Sequence, residues 1–227
     1  MSTIVAALLA VDGVAQRPFA KVAPALAAAG LYVFPLRAKG APLVKWGAAA
    51  TTDPAIIEGW SQQWPDALVG IACKPSKLLV VDLDVKHPPI DGRAEWAALT
   101  LACGDPEARW ACLTDRTTLI KTSSGGLHLW FANPDDIPGR NAMLPGIDVK
   151  AAEGAWGGYV MAPGNPGYSA LGLKPPLDRR DWLALILTHD YKPRTGWTPE
   201  PRPIPAKPVD PGARERLAAA LKARRRS

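Results

Sequence analysis

The chain has 227 residues, 48% of them hydrophobic and 21% charged, enough to bury a sizeable core and too apolar for a disordered segment. Its net charge of +6 is lodged at one end: Lys192 to Ser227 hold ten Lys or Arg against three acids, and the other 191 residues hold 17 against 18, which excludes a body-wide cationic field. Three cysteines without a CxxC pair exclude a disulfide framework and leave no zinc site to expect. With no apolar run near the roughly 20 residues of a membrane span and no leader-like opening, an intracellular protein without a membrane partner is expected.

In chain order, an Ala-rich segment from about Pro18 to Ala29 predicts a helix stopped by Gly30. The run LYVFPL, Leu31 to Leu36, predicts a strand and leads into a basic loop, RAKGAPLVKW, that carries Arg37, Lys39 and Lys45. Asp53 followed by Pro54 marks the start of a second helix, where Ile57, Trp60 and Trp64 recur at helical spacing and read as core. Strands are expected at Val69 to Ala72, Leu78 to Asp84, Thr117 to Thr122, Leu127 to Phe131, Ile147 to Lys150 and Tyr159 to Met161. A helix from Arg93 to Ala102 interrupts them, and another near Arg179 to Leu187, capped by Asp178, closes the body. The pattern is α+β with a mostly antiparallel sheet. Residues 1–191 thus form the folded domain. Repeated prolines make 192–212 a linker, and 213–227 read as a short helix or tail ending in a basic cluster.

The stretch KLLVVDLDVK sets Asp82 and Asp84 at the end of a run that otherwise reads as a buried strand. Residues two apart share a face, so the carboxylates project together, roughly 6 to 7 Å apart along the strand, while Val81, Leu83 and Val85 point to the core. Burying such a pair costs several kcal/mol unless something neutralises it. A pair of divalent ions would do so and would suit phosphoryl transfer. Solvation at the strand end, or pairing with Lys86, would also serve. Downstream, TSSGGLHLWF places Ser123, Ser124, Gly125 and Gly126 in a tight turn, with His128 and Trp130 on one face and Leu127, Leu129 and Phe131 on the other. Such a turn can hold phosphate through backbone N–H groups and hydroxyls with His128 reaching in, or it can be an ordinary hairpin. LPGIDVK repeats the device, with Asp148 and Lys150 on one face and Ile147 and Val149 on the other. Three acids, a histidine, a lysine and a serine-glycine turn balance in charge once two metals and a triphosphate are added.

The ordered set VFPLRAKGAPLVKW, GIACKPSKLLVVDLD, TSSGGLHLWF and LPGIDVK with GGYVMAPG, over roughly Leu31 to Tyr168, resembles the bifunctional primase–polymerase domain of the archaeo-eukaryotic primase superfamily. The resemblance implies an RRM-like, mostly antiparallel catalytic sheet with helices and an N-terminal α/β layer. It implies a DNA primase or polymerase of a mobile element, phage or plasmid, acting in the cytoplasm of the cell or host on single-stranded DNA with NTPs or dNTPs. Asp82 and Asp84 then look like the first ligands of two Mg2+ or Mn2+ ions, Asp148 like the third acid and His128 like the nucleotide-phosphate contact, with Ser123, Ser124, Gly125 and Lys150 beside it. Two departures qualify the match: the cysteines lack the zinc-binding stem of some relatives, and no helicase follows the linker, so a separate replicative helicase would supply unwinding.

Two other classes compete. A haloacid-dehalogenase-like phosphatase also begins with a hydrophobic strand and DxD, but wants Thr or Val where Lys86 stands, and phosphoenzyme trapping would reveal it. A non-catalytic primase-like module that only binds nucleotide or DNA is the other, and metal-dependent turnover separates it from an enzyme.

Overall fold

The computed structural model describes residues 2–12, 18–85, 89–103 and 113–178. The expected helix near Arg179, the linker, the basic tail, Lys86 and Cys112 all lie outside them.

At the N-terminus, helices α1 (Thr3–Val11) and α2 (Pro18–Ala28) bury Leu8, Val11, Phe19, Val22 and Leu26. Proline suits the first residue of α2, where its missing N–H has no intrahelical acceptor to lose. Leu31 N bonds back to Leu26 O at 3.1 Å around Gly30, whose φ of 85° only glycine adopts without strain. Strands β1 (Val33–Leu36) and β2 (Leu68–Ala72) follow, separated by a 3-10 turn (Ala38–Gly40), the short α3 (Trp46–Ala49) and α4 (Pro54–Gln63). Pro35 is tolerated because β1 is an edge strand. Helix α4 starts as its sequence predicts: the Asp53 carboxylate accepts from Ala55 N at 2.8 Å and Pro54 follows. Ile57 is buried, and Trp60 and Trp64 are partly buried against the same core.

The remaining strands are β3 (Leu78–Leu83), β4 (Thr118–Lys121), β5 (Leu127–Ala132), β6 (Arg140–Leu144), β7 (Ile147–Lys150), β8 (Tyr159–Met161) and β9 (Ser169–Gly172), with α5 (Gly92–Ala102) after β3. They build two sheets in which every strand pair is antiparallel: a small one ordered β1-β2-β8 and a large one ordered β6-β7-β3-β5-β4-β9. This is the α+β, mostly antiparallel architecture expected, with an N-terminal α/β layer over a larger sheet.

Alternation decides what each face buries. On one face of the large sheet Leu79, Val81, Leu83, Leu129, Phe131, Ile147 and Val149 pack with Trp96 and Leu99 of α5. Each such side chain contributes about 1.5–3 kcal/mol on burial. The other face presents Val80, Trp130 and Ile120 to a second core shared with α1, α2, α4 and the inner residues Val33, Val69, Ile71 and Val160 of the small sheet. Outside that small sheet a third cluster gathers Phe34, Leu36 and Ala72 with Trp46, Tyr159 and Met161.

Helices α1 and α3, the 3-10 turn and strands β6 and β9 have no counterpart in the sequence reading. One placement also needs correcting. Val85 is half-buried rather than core, because β3 ends at Leu83 and Val85 only bridges to Asp91 ahead of α5.

Candidate active site

The register of three central strands generates the site. β3 pairs with β5 so that Asp82 faces His128, and with β7 so that Asp82 faces Asp148. Side chains directly opposite on neighbouring strands are about 4.5–5.5 Å apart at Cβ, so Asp148, Asp82 and His128 form one row across the sheet. Asp84, one residue past the strand end, is held by its N–H to Gly146 O at 2.8 Å and by its carbonyl, which accepts from Gly92 N at 2.8 Å. Oxygens of Asp82, Asp84 and Asp148 all lie within 4.8 Å of one another, and all three residues are partly exposed. Like charges directly opposite are unfavourable in a sheet. Part of the offset is visible: Lys150 Nζ donates to Asp148 Oδ2 at 2.8 Å and to Asn141 Oδ1 at 2.6 Å, while Ala142 N donates to Asp148 Oδ1.

His128 is 4% exposed, with Nε2 at 3.5 Å from Asp82 Oδ1, longer than a good hydrogen bond. Burial, reinforced by the Lys150 cation, pushes its pKa down to about 4, so the imidazole is neutral at pH 7. Its Nδ1 is buried and makes no hydrogen bond among the described residues. Nearby, the buried Cys73 thiol just past the end of β2 is driven well above its usual range, mainly by burial and then by Glu153, and stays protonated.

The serine-glycine turn sits against the acids. Gly126 packs so closely on β3 that a Cβ there would meet Leu83 O at 2.3 Å, between Asp82 and Asp84 in sequence. Gly125 N donates to Thr122 O at 3.0 Å inside the turn, and Ser124 Oγ lies 3.0 Å from Thr122 Oγ1. Ser123 and Ser124 are exposed. The Gly125 N–H is therefore already engaged, and the exposed Ser123 and Ser124 hydroxyls are the turn's side-chain donors.

Two residues here are not singled out by the sequence. Tyr168 sets its ring 5.8 Å from the His128 ring, its phenol within reach of Ser123 and 3.2 Å from Met161 Sδ. Burial, with Asp82 and Asp84 nearby, raises its pKa. Asn141 holds Lys150 from β6. Neither sits in a chemical motif: Tyr168 follows a PGNPG turn and Asn141 lies on an irregular edge strand, so only the tertiary pairing reveals them.

The donor set is all oxygen, suited to hard divalent ions, and it opens on the polar end of an antiparallel sheet beside a buried neutral histidine. Such a set is compatible with metal-assisted chemistry on phosphate esters. The chain is a member of the bifunctional DNA primase/polymerase family: the model of that family's N-terminal domain matches residues 23–181, which take in both sheets and the whole acidic row. No curated protein matches the chain closely enough to stand as a named relative. Membership sets the coarse activity, a DNA primase/polymerase with DNA and nucleotides as substrates. No helix among the described residues is long and apolar enough to cross a membrane.

Proposed function

We propose that the chain is a template-directed nucleotidyltransferase that makes primers or extends DNA in the replication of a mobile element, with Asp82, Asp84 and Asp148 holding two divalent cations, Mg2+ or Mn2+. The observation that carries this reading is the row in which strand register sets Asp148, Asp82 and His128 side by side, with Asp84 within 4.8 Å at the strand end. Bound there, the ions would supply Lewis-acid polarisation of phosphoryl oxygens and of the primer hydroxyl.

The chain's own groups divide the remaining work. His128, neutral and fixed by burial, offers a ring nitrogen to a nucleotide phosphate without bringing a charge of its own. Ser123 and Ser124 add hydroxyl donors from the turn, and Gly125 gives that turn the φ of 85° it needs. Lys150 holds Asp148 in place and supplies a cation where phosphate charge accumulates. In the transfer, the primer 3′-oxygen bonds to the α-phosphorus as the α–β bridge breaks, and pyrophosphate leaves. Residues 1–191 would form the catalytic unit, with 192–227 as linker and basic tail for template or a separate helicase.

Nucleotide incorporation on primed and unprimed single-stranded DNA, with dNTPs or NTPs and Mg2+ or Mn2+, tests the reading. Metal-dependent product that disappears in Asp84→Asn supports it. Absence of product under every combination makes the chain a non-catalytic nucleotide- or DNA-binding module.

A further inference from the structure

Outside the small sheet, the loop of residues 37–47 is pinned against the segment that continues from Asp148. The Tyr159 hydroxyl donates to Gly40 O at 3.2 Å, and Trp46 packs 5.0 Å from the Tyr159 ring and 5.5 Å from Phe34. Trp156 lies over Gly47, where a Cβ would come within 2.5 Å of its ring, so only glycine lets the indole rest there. From the far side Lys74 Nζ donates to Gly154 O at 3.0 Å and Ala155 O at 3.2 Å, fixing the turn that carries Trp156.

What this anchored loop displays is charge beside an aromatic face. Arg37, Lys39 and Lys45 are exposed, and none forms an ion pair among the described residues. Trp156 is 56% exposed, unlike the fully buried Trp96 and Trp130. Gly158, two residues on, packs against Lys150, so the patch and the acids share one stretch of chain. Three exposed cations distributed over residues 37–45, from the 3-10 turn to the start of α3, suit a polyanion that runs along the surface, whereas a lone triphosphate would leave the neighbouring indole unused. An open indole stacks on any base.

We propose that Arg37, Lys39, Lys45 and Trp156 form a docking surface for single-stranded DNA, which as the template partner of the proposed nucleotidyltransferase rests on that reading. The test is fluorescence anisotropy of a labelled oligothymidylate with the full chain over a salt series, alongside steady-state incorporation. Trp156→Ala should weaken binding roughly 5- to 150-fold, with Trp156→Phe recovering most of it. Arg37→Gln/Lys39→Gln/Lys45→Gln should lower the magnitude of the log–log salt slope by about 2, near 0.7 for each phosphate that the variant no longer neutralises. The KM for template should rise in both and the KM for nucleotide should hold. Parental affinity in Trp156→Ala, a parental slope in the triple variant, or a rise confined to the nucleotide KM would each overturn the proposal. Asp84→Asn separates the two readings, because full incorporation by that variant strikes the catalytic assignment while leaving the DNA measurements to decide this one.

Discussion

Two neighbouring rows on one face of the large sheet differ sharply. Lys150, Val80, Trp130 and Thr118 make one, and Asp148, Asp82, His128 and Ile120 make the next. Val80 is 0% exposed and Trp130 is sealed under the N-terminal layer, whereas the Asp82 side chain, two residues on from Val80, is 19% exposed. Backbone pairing is the same in both rows. What differs is the roof: α2 and the inner face of the small sheet cover Val80 and Trp130, with Ile120 at the end of the second row, and leave Lys150 and the acids open. Val80 and Trp130 are built for stability, whereas the acids one row on carry charge that stability would not choose.

Removing the first row's anchor should cause the largest change. Trp130→Ala should cost about 3–5 kcal/mol, toward the lower end because an indole N–H with no hydrogen-bond partner among the described residues goes with it. A urea titration followed by circular dichroism checks this, and a loss under about 1 kcal/mol would mean that the roof does not bear on that row. In the second row the pattern should invert. Asp84→Asn and Asp148→Asn should each lower incorporation by roughly a hundredfold to a thousandfold while the thermal midpoint holds or rises, since crowded like charges are relieved. A variant that loses activity by unfolding would place its acid among the structural residues.

The pH dependence sharpens the contrast at His128, which lies in the acidic row yet is as buried as the apolar one. Its folded pKa of about 4 lies below the ordinary 6.5, so between those values the unfolded chain takes up a proton that the folded chain refuses. The neutral imidazole therefore contributes stability that is fully present above about pH 6.5 and is lost as pH falls toward 4, by up to about 3 kcal/mol. Metal-free protein melted from about pH 7.5 to about 4.5 should show this decline, and His128→Leu should flatten it. The smallest effect belongs to the roof's own periphery. Asp53→Ala should cost about 1 kcal/mol through loss of the α4 cap, with incorporation unchanged in protein that remains folded.

The contrast between rows also explains what the sequence could tell. β7 announces itself by alternation and β3 and β5 by short apolar runs buried on both faces, and the strand period of two is what puts Asp82, His128 and Asp148 on the face away from α5. The Asp53–Pro54 pair likewise marks α4. Helix α1 is not legible: TIVAALLAV has no polar face to give a period, and Ser2 makes no capping bond. β6 and β9 are short edge strands with register shifts, and Ala142 in β6 sits at a φ of 49°, so their pairing is imposed by β7 and β4 rather than by local pattern. Spacing places Asp82 and Asp84 together, but not the opposition of Asp82 to Asp148, which depends on a register between strands more than 60 residues apart.

Whether the acidic row binds divalent cations is tested most directly by titrating Mn2+ into the full chain in the presence of a non-hydrolysable nucleoside triphosphate, following free Mn2+ by electron paramagnetic resonance. Two ions per wild-type chain, with at least one lost in each of Asp82→Asn, Asp84→Asn and Asp148→Asn, is the predicted result. Equal stoichiometry and affinity in the wild type and all three variants would contradict it.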